Sequence, residues 1–428
     1  MNRFNKFVEF LEKKLLPIVE KMEGQVHLQA IKNSMLALLP VTIIGSFTLV
    51  AVNLAQVFQN TFYANFVSSY ELEIMTLFNF SMGLMGLFTA LFVSYNLSRS
   101  YDMYTIGDCL NGLVMYLILN SSVTESGIDM TYLDSKGMFT GIFVAIISVE
   151  ISRELKEKNF IIKMPEGVPD MVSKNFELII PLIVNSLVFL SIRILIFKLT
   201  GSLVPEIILS IMKPLSIGLN NVFGVMLLVF LIQLLWWFGI HGDATLGPIF
   251  LPVALQNITE NAAAYAQGKP IPHVFTETFL SNFLLMSGSG ITVGLLILML
   301  FSKSKRYKEL GKISLLPAVF GINEPITFGT PIVYNPILFI PYVIGPTLIT
   351  LPIYKIFESG IVERAFIQSP GYTPFFLQGY LMNLSFKSTI LQILILILSV
   401  LIYYPFFKVM EKDELKNEVD IKDSDGDK

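Results

Sequence analysis

Three polar residues stand where an apolar chain has least use for them. His241 and the Asn323–Glu324 pair lie within the hydrophobic stretches FGIHGDATLG (238–247) and FGINEPITFG (320–329). Set side by side, 82 residues apart, the two agree at Phe, Gly, Ile, Thr and the final Gly, and a proline follows each, Pro248 and Pro331. We read them as an internal repeat. The register places His241 opposite Asn323, and Gly242 opposite Glu324. Imidazole, amide and carboxylate together donate and accept hydrogen bonds, which suits a ligand whose hydroxyls do both, as a sugar's do. A carboxylate between Asn and Pro in apolar surroundings is costly unless it serves a site. Asp243 is placed either to orient His241 or to stand apart from it.

The elements that hold these residues must be membrane helices. Of 428 residues, 53% are hydrophobic and only 15% charged, against roughly a quarter charged in soluble domains, and mean hydropathy is +0.65. Apolar blocks long enough to cross a bilayer fall near 34–55, 75–97, 104–120, 137–152, 176–200, 221–240, 276–301, 333–357 and 385–407. Segments 241–258 and 313–332 are apolar but interrupted by Gly, Pro and polar residues, and read as re-entrant hairpins. Non-helical backbone at membrane depth must be buried in protein or line a cavity, so such interruptions point to a transport site. The expected fold is an all-α polytopic membrane protein with about ten transmembrane helices, two re-entrant hairpins and amphipathic interface helices. Phe4, Phe7, Phe10, Leu11 and Leu15 recur at helical spacing in 2–24, an amphipathic surface helix. Ser287, Gly288, Ser289, Gly290 and Gly294 read as a small-residue stripe within a helix, serving close packing or backbone and hydroxyl contact with a ligand.

Charge sets the expected topology. Lys and Arg collect in cytosolic loops. The N-terminal segment, residues 153–163 and residues 303–312 are basic, whereas 54–74 has neither Lys nor Arg. Both termini are therefore expected in the cytosol, with a disordered acidic tail at 411–428. No removable signal peptide is apparent near the start. A formal charge of −3 gives no basic surface for nucleic acid. The single cysteine, Cys109, reads as a small buried hydrophobe and excludes both an intrachain disulfide and a multi-Cys zinc site. No metal and no cofactor are expected, and His27 and His273 read as ordinary loop residues.

WWFGIHG followed by GINEPITFGTPIVYNPILFIPYVIGP, with QVHLQAIKNSMLALLPVTIIGSF near the start, resembles the membrane subunit, enzyme IIC, of the sugar phosphotransferase system, in its lactose/cellobiose/diacetylchitobiose branch. The resemblance covers essentially the whole chain. It implies a homodimer in the bacterial cell membrane. Residues 1–220 would form the interface and scaffold half, and 221–410 a transport half around a β-linked disaccharide. It implies that His241 and Glu324 contact sugar hydroxyls, with Asn323 and Gly242 beside them, and that Gly288 and Ser289 lie near the sugar. Transport would be an elevator movement, coupled to phosphorylation from a IIA histidine through a IIB cysteine. Cys109 lies in the wrong setting for that cysteine, so IIA and IIB would be separate proteins. Where many members of the branch carry a PWTTP-like segment whose tryptophan can stack on a sugar ring, this chain has PGYTP (370–374), and Tyr372 is the substitute ring. The rival functions are an ion-coupled sugar symporter without phosphorylation and a non-transporting membrane sensor.

Overall fold

The computed structural model describes residues 2–426 apart from positions 59, 126, 166, 331 and 372. Tyr372 therefore lies outside the described residues. In chain order the helices are α1 (Asn2–Glu23), α2 (Val26–Val57), α3 (Phe62–Ser69), α4 (Glu71–Asn79), α5 (Met85–Ser100), α6 (Thr105–Asn120), α7 (Met138–Glu157), α8 (Asp170–Glu177), α9 (Ile179–Thr200) and α10 (Val204–Leu219). They continue as α11 (Val222–Trp237), α12 (Gly242–Ala266), α13 (Glu277–Phe279), α14 (Val293–Leu300), α15 (Lys305–Val319), α16 (Glu324–Gly329), α17 (Pro336–Phe339), α18 (Gly345–Glu358), α19 (Phe375–Leu381) and α20 (Phe386–Gly426). Two two-residue strands pair antiparallel, Val123 opposite Ile128.

Among the described residues, five helical stretches are long and apolar enough to cross a membrane: Val26–Val52, Glu71–Ser100, Asp170–Thr200, Pro336–Glu358 and Phe386–Lys416. Two further pairs pass together but are bent, α10 with α11 by 77° and Glu277–Ile291 with α14 by 51°.

The chain divides into two compact units. One comprises Glu9–Ile217 and Gly247–Ala266. Lipid tails are as apolar as leucine, so its helices are held by close packing and interhelical hydrogen bonds. Buried Ser98 on α5 donates to Asp108 Oδ2 on α6 at 2.6 Å. Asn111 on α6 donates to Ser152 on α7 at 3.0 Å, and Asn185 on α9 donates to Ser148 O on α7 at 3.3 Å. His27 lies in the first turn of α2, not in a loop, and its Nε2 meets Glu150 of α7 at 2.8 Å. Cys109 is half-buried, with Leu91 O 3.7 Å from its sulfur.

The other unit comprises Met1–Val8, Gly218–Leu246 and Gln267–Lys428, and it contains every proposed site residue among the described ones. Trp237 Nε1 donates to Asn335 O at 3.0 Å, tying α11 to the start of α17. Phe279 and Phe283 each pack edge to face on Phe357. Beyond Glu411, where composition alone suggests a disordered tail, α20 continues as helix. Its carboxylates cap the start of α15: Glu411 accepts from Ser302 (2.6 Å) and the Lys303 N–H (2.8 Å), and Glu418 accepts from Ser304 (2.7 Å). Glu414 pairs with Arg306 at 3.0 Å. Anions are favoured at a helix N-terminus, which holds this end of α20 helical.

Candidate functional site

Both FGI segments end a helix in the same way. After α11, Gly239 takes φ +84°. Its N–H bonds Trp236 O, and the Ile240 N–H bonds Leu235 O, both at 2.9 Å. After α15, Gly321 takes φ +83°. Its N–H bonds Ala318 O at 3.1 Å, and the Ile322 N–H bonds Pro317 O at 3.0 Å. Each is a Schellman cap, whose left-handed residue favours glycine. A new helix follows at once: Thr245 N–H bonds back to His241 O (3.0 Å) and Thr327 N–H to Asn323 O (2.9 Å). His241 and Asn323 thus occupy the same structural position, and Gly242 and Glu324 each open the next helix. The sequence repeat is a repeat of local structure. The interruptions are shorter than the sequence suggested. Residues 242–258 belong to continuous α12, Pro248 and Pro252 included, and 313–319 to α15, so the breaks are 238–241 and 320–323.

His241 is exposed and held from two sides. Its Nδ1 lies 3.1 Å from Asp243 Oδ1, and Trp236 Nε1 donates to that same oxygen at 2.9 Å. The Trp236 ring sits 4.3 Å, centroid to centroid, from the imidazole. Ala244 N–H also points at Nδ1, at 3.4 Å. The shorter carboxylate contact decides the tautomer: the Nδ1 proton goes to Asp243, and Nε2 is left free to accept. Asp243 is therefore the orienting partner of His241. Trp236 was not singled out in the sequence, although the only two tryptophans of the chain stand together in WWFGIHG. Phe328, 60% exposed, faces Trp236 at 6.5 Å.

Glu324 is half-buried at the head of α16. Its carboxylate acts electrostatically on His241, and with Asp243 it acts on the buried Tyr342 hydroxyl. Asn323 is buried. Its Nδ2 donates to Ser289 O (2.6 Å) and Thr292 Oγ1 (3.0 Å), so its amide nitrogen is committed to the fold. A Cβ at Gly288, where φ is +91°, would stand 2.3 Å from Asn323 Cγ. Gly242 is buried, and a Cβ there would stand 2.2 Å from Ile232 O.

The SGSG segment is not a stripe inside a helix. The helix breaks there: a π-helical turn (Leu280–Leu284) leads into a short 3-10 turn (Ser289–Ile291) before α14 begins. Ser287, Gly288, Gly290 and Ile291 all take positive φ. Tyr403 O–H donates to Gly290 O (2.8 Å), and Ser399 Oγ to Ile291 O (2.6 Å), so α20 satisfies the freed carbonyls. The structure therefore brings His241, Asp243, Glu324, Asn323, Gly242, Gly288 and Ser289 into one unit, at three helix breaks. Gly371, next to Tyr372, is exposed. Among the described residues, no group of three or more His, Cys, Asp or Glu gathers for a metal.

Helical stretches of membrane length, with polar residues gathered at helix breaks of one unit, define an integral membrane protein. A family profile described as phosphotransferase system, EIIC, matches residues 32–346. The chain belongs to the phosphotransferase system EIIC family. It is 32% identical to the oligo-beta-mannoside-specific EIIC component of Bacillus subtilis (strain 168), over 97% of this chain and 96% of that one. It is also 32% identical to the cellobiose-specific EIIC component of Geobacillus stearothermophilus, over 97% and 96%. The lactose-specific EIICB component of Staphylococcus epidermidis is 30% identical, over 98% of this chain and 73% of that longer one. Among solved structures, the transporter ChbC, the IIC component from the N,N′-diacetylchitobiose-specific phosphotransferase system, superposes with a TM-score of 0.87 at 30% identity, covering 96% of this chain and 99% of that one.

Proposed function

We propose that this chain is the permease subunit that binds a β-linked disaccharide, carries it across the bacterial cell membrane and presents it to a separate IIB protein for phosphorylation. The observation that carries the reading is the Trp236–Asp243–His241 cluster with Glu324 acting on it, set at helix breaks within one unit. Relatives named for oligo-beta-mannoside, cellobiose and lactose support the substrate class. Family membership leaves the ion-coupled symporter without support.

In this reading His241 Nε2 accepts from one sugar hydroxyl and Glu324 from the hydroxyl to be phosphorylated. That oxygen attacks the phosphorus of phosphocysteine on IIB. The S–P bond breaks, the thiolate leaves, and the hydroxyl proton passes to Glu324. Asn323 holds the Gly288–Ser289 turn against the site, and Tyr372 supplies the stacking ring. The wider architecture is part of the same proposal. It comprises about ten transmembrane helices interrupted at the breaks 238–241 and 320–323, a scaffold half (1–220), and a transport half (221–410) that moves as an elevator. It also comprises a homodimer, both termini in the cytosol, and a IIA component that charges IIB. The basic segments 153–163 and 303–312 are the proposed IIB docking surfaces.

The experiment is uptake into vesicles with the phosphate relay supplied, for wild type, Glu324→Gln and His241→Ala. Loss of sugar phosphorylation in both variants is expected. Wild-type binding and phosphorylation in both, or delivery of unmodified sugar without IIA and IIB, would sink the reading.

A further inference from the structure

Among the described residues, a second carboxylate in the same unit has no cation paired with it. Glu277 opens α13, where Thr276 caps the helix by accepting from the Phe279 N–H at 3.0 Å. The residue is half-buried, so part of it remains accessible. Its carboxylate accepts from the Gln368 amide, Ser281 Oγ donates to its backbone carbonyl at 3.0 Å, and among the described residues no positive side chain pairs with it. Arg364 of the same unit is committed elsewhere, donating to the carbonyls of Ile271 (2.8 Å), Pro272 (2.9 Å) and Glu358 (3.2 Å). An ionised carboxylate accepts about four hydrogen bonds, so Glu277 has acceptor capacity left. A carboxylate at the head of an apolar span without a counter-charge is expensive unless it serves a site.

Its surroundings say which site. Thr278 donates to Ile367 O at 3.4 Å, and Asn282 donates to Ser369 at 3.4 Å and to Gln378 O at 3.3 Å. These bonds fasten the helix carrying Glu277 to the non-helical, buried segment 365–369. That segment runs directly into Pro370 and Gly371. In the other direction the same helix runs from Glu277 to the turn at Leu285–Gly288, which packs on Asn323. Eight residues at 1.5 Å each put the two ends about 12 Å apart at most. This is the scale of the end-to-end length of two linked pyranose rings.

We propose that Glu277, oriented by Gln368, is a specificity-determining residue that accepts hydrogen bonds from hydroxyls of the second sugar ring, the ring that is not phosphorylated. The inference rests on the reading of His241 and Glu324 as the subsite of the phosphorylated ring. Glu277 selects disaccharides over monosaccharides, because only a second ring brings donors within its reach.

The test is titration calorimetry on the purified full chain in detergent. The ligands are cellobiose, lactose and N,N′-diacetylchitobiose, and the matching monosaccharides glucose, galactose and N-acetylglucosamine. Wild type, Glu277→Gln, Gln368→Ala and His241→Ala are compared. Glu277→Gln is expected to weaken the disaccharide by about tenfold, the scale of one charge-assisted hydrogen bond, and to leave the monosaccharide unchanged. Gln368→Ala, which keeps the carboxylate, should give a smaller loss of the same pattern and covers the case in which Glu277→Gln does not fold. Equal loss for both ligand types, or none for either, would overturn the assignment. If no sugar binds wild type, or His241→Ala binds every sugar as wild type does, the underlying reading of the site fails first, and that outcome is distinct from a selective failure at Glu277.

Discussion

Asn323 fills the space that a side chain at position 288 would need: its Cγ lies 2.3 Å from where a Cβ on Gly288 would stand. Its Nδ2 donates to the next carbonyl, Ser289 O, at 2.6 Å. Two of the three helix breaks are thereby locked together, one carrying Glu324 and the other the SGSG turn. Gly288 is also at φ +91°, where an L side chain is strained. Gly288→Ala is therefore expected to destabilise the chain by about 1–3 kcal/mol, the range for overpacking a tight site. It should weaken sugar binding as well, since Asn323 cannot move without its neighbour Glu324. Thermal unfolding in detergent with a parallel binding titration checks both. An unchanged melting temperature would show that the two segments separate more readily than their packing says.

In the proposed function Asp243, whose Oδ1 lies 3.1 Å from His241 Nδ1, orients His241 rather than touching the ligand. An asparagine at 243 retains an acceptor oxygen for Trp236 but loses the charge that holds the Nδ1 proton in place. Asp243→Asn should lower sugar affinity by about tenfold, less than His241→Ala, and combining the two should add little because both act through one imidazole. Trp236→Phe keeps the ring beside His241 but removes the donor to Asp243, so it should resemble a mild Asp243→Asn. Equal and additive losses from all three would assign Asp243 a direct contact with sugar.

The role proposed for Glu324 separates binding from chemistry. Glutamine keeps the size and an acceptor oxygen but does not take a proton. Glu324→Gln should bind sugar within about tenfold of wild type, while the phosphorylation rate falls by about 10²- to 10⁴-fold, the usual contribution of a positioned base. Single-turnover assays with phosphorylated IIB measure the rate apart from affinity. A parallel drop in both would make Glu324 a binding residue alone.

Much of this site is legible in the sequence, for particular reasons. Lipid offers no partner for freed backbone groups, so Gly, Pro and polar residues inside apolar blocks mark breaks, and the FGI repeat marks two with the same cap. Other features leave no such trace. The SGSG break looks like helix packing because small residues serve both purposes; what decides it is Tyr403 and Ser399, over a hundred residues away, which donate to the freed, buried carbonyls. Glu277 stands at the edge of a span, where a carboxylate draws no notice until Gln368 folds onto it. The helical end of α20 escapes composition because it depends on Glu411 and Glu418 finding Ser302 and Ser304. In each case the missing information is a tertiary partner rather than a local preference.

The two Schellman caps allow a matched comparison. Gly239 and Gly321 have almost the same φ and the same pair of backbone bonds, so alanine should cost each about 1–2 kcal/mol in the left-handed region. Their surroundings differ. A Cβ at 239 would come within 3.3 Å of Val333, whereas one at 321 meets nothing within 4 Å. Stability should therefore fall slightly more for Gly239→Ala, while both variants tilt the helix that follows and displace the residue before it, His241 in one case and Asn323 in the other. If the repeat serves a single ligand from two sides, sugar affinity should drop in both variants by similar factors, although the substitutions lie 82 residues apart in sequence. A loss confined to one would leave the other cap as a fold element without a share in the site. Binding titrations normalised to the folded fraction at each temperature distinguish the two outcomes.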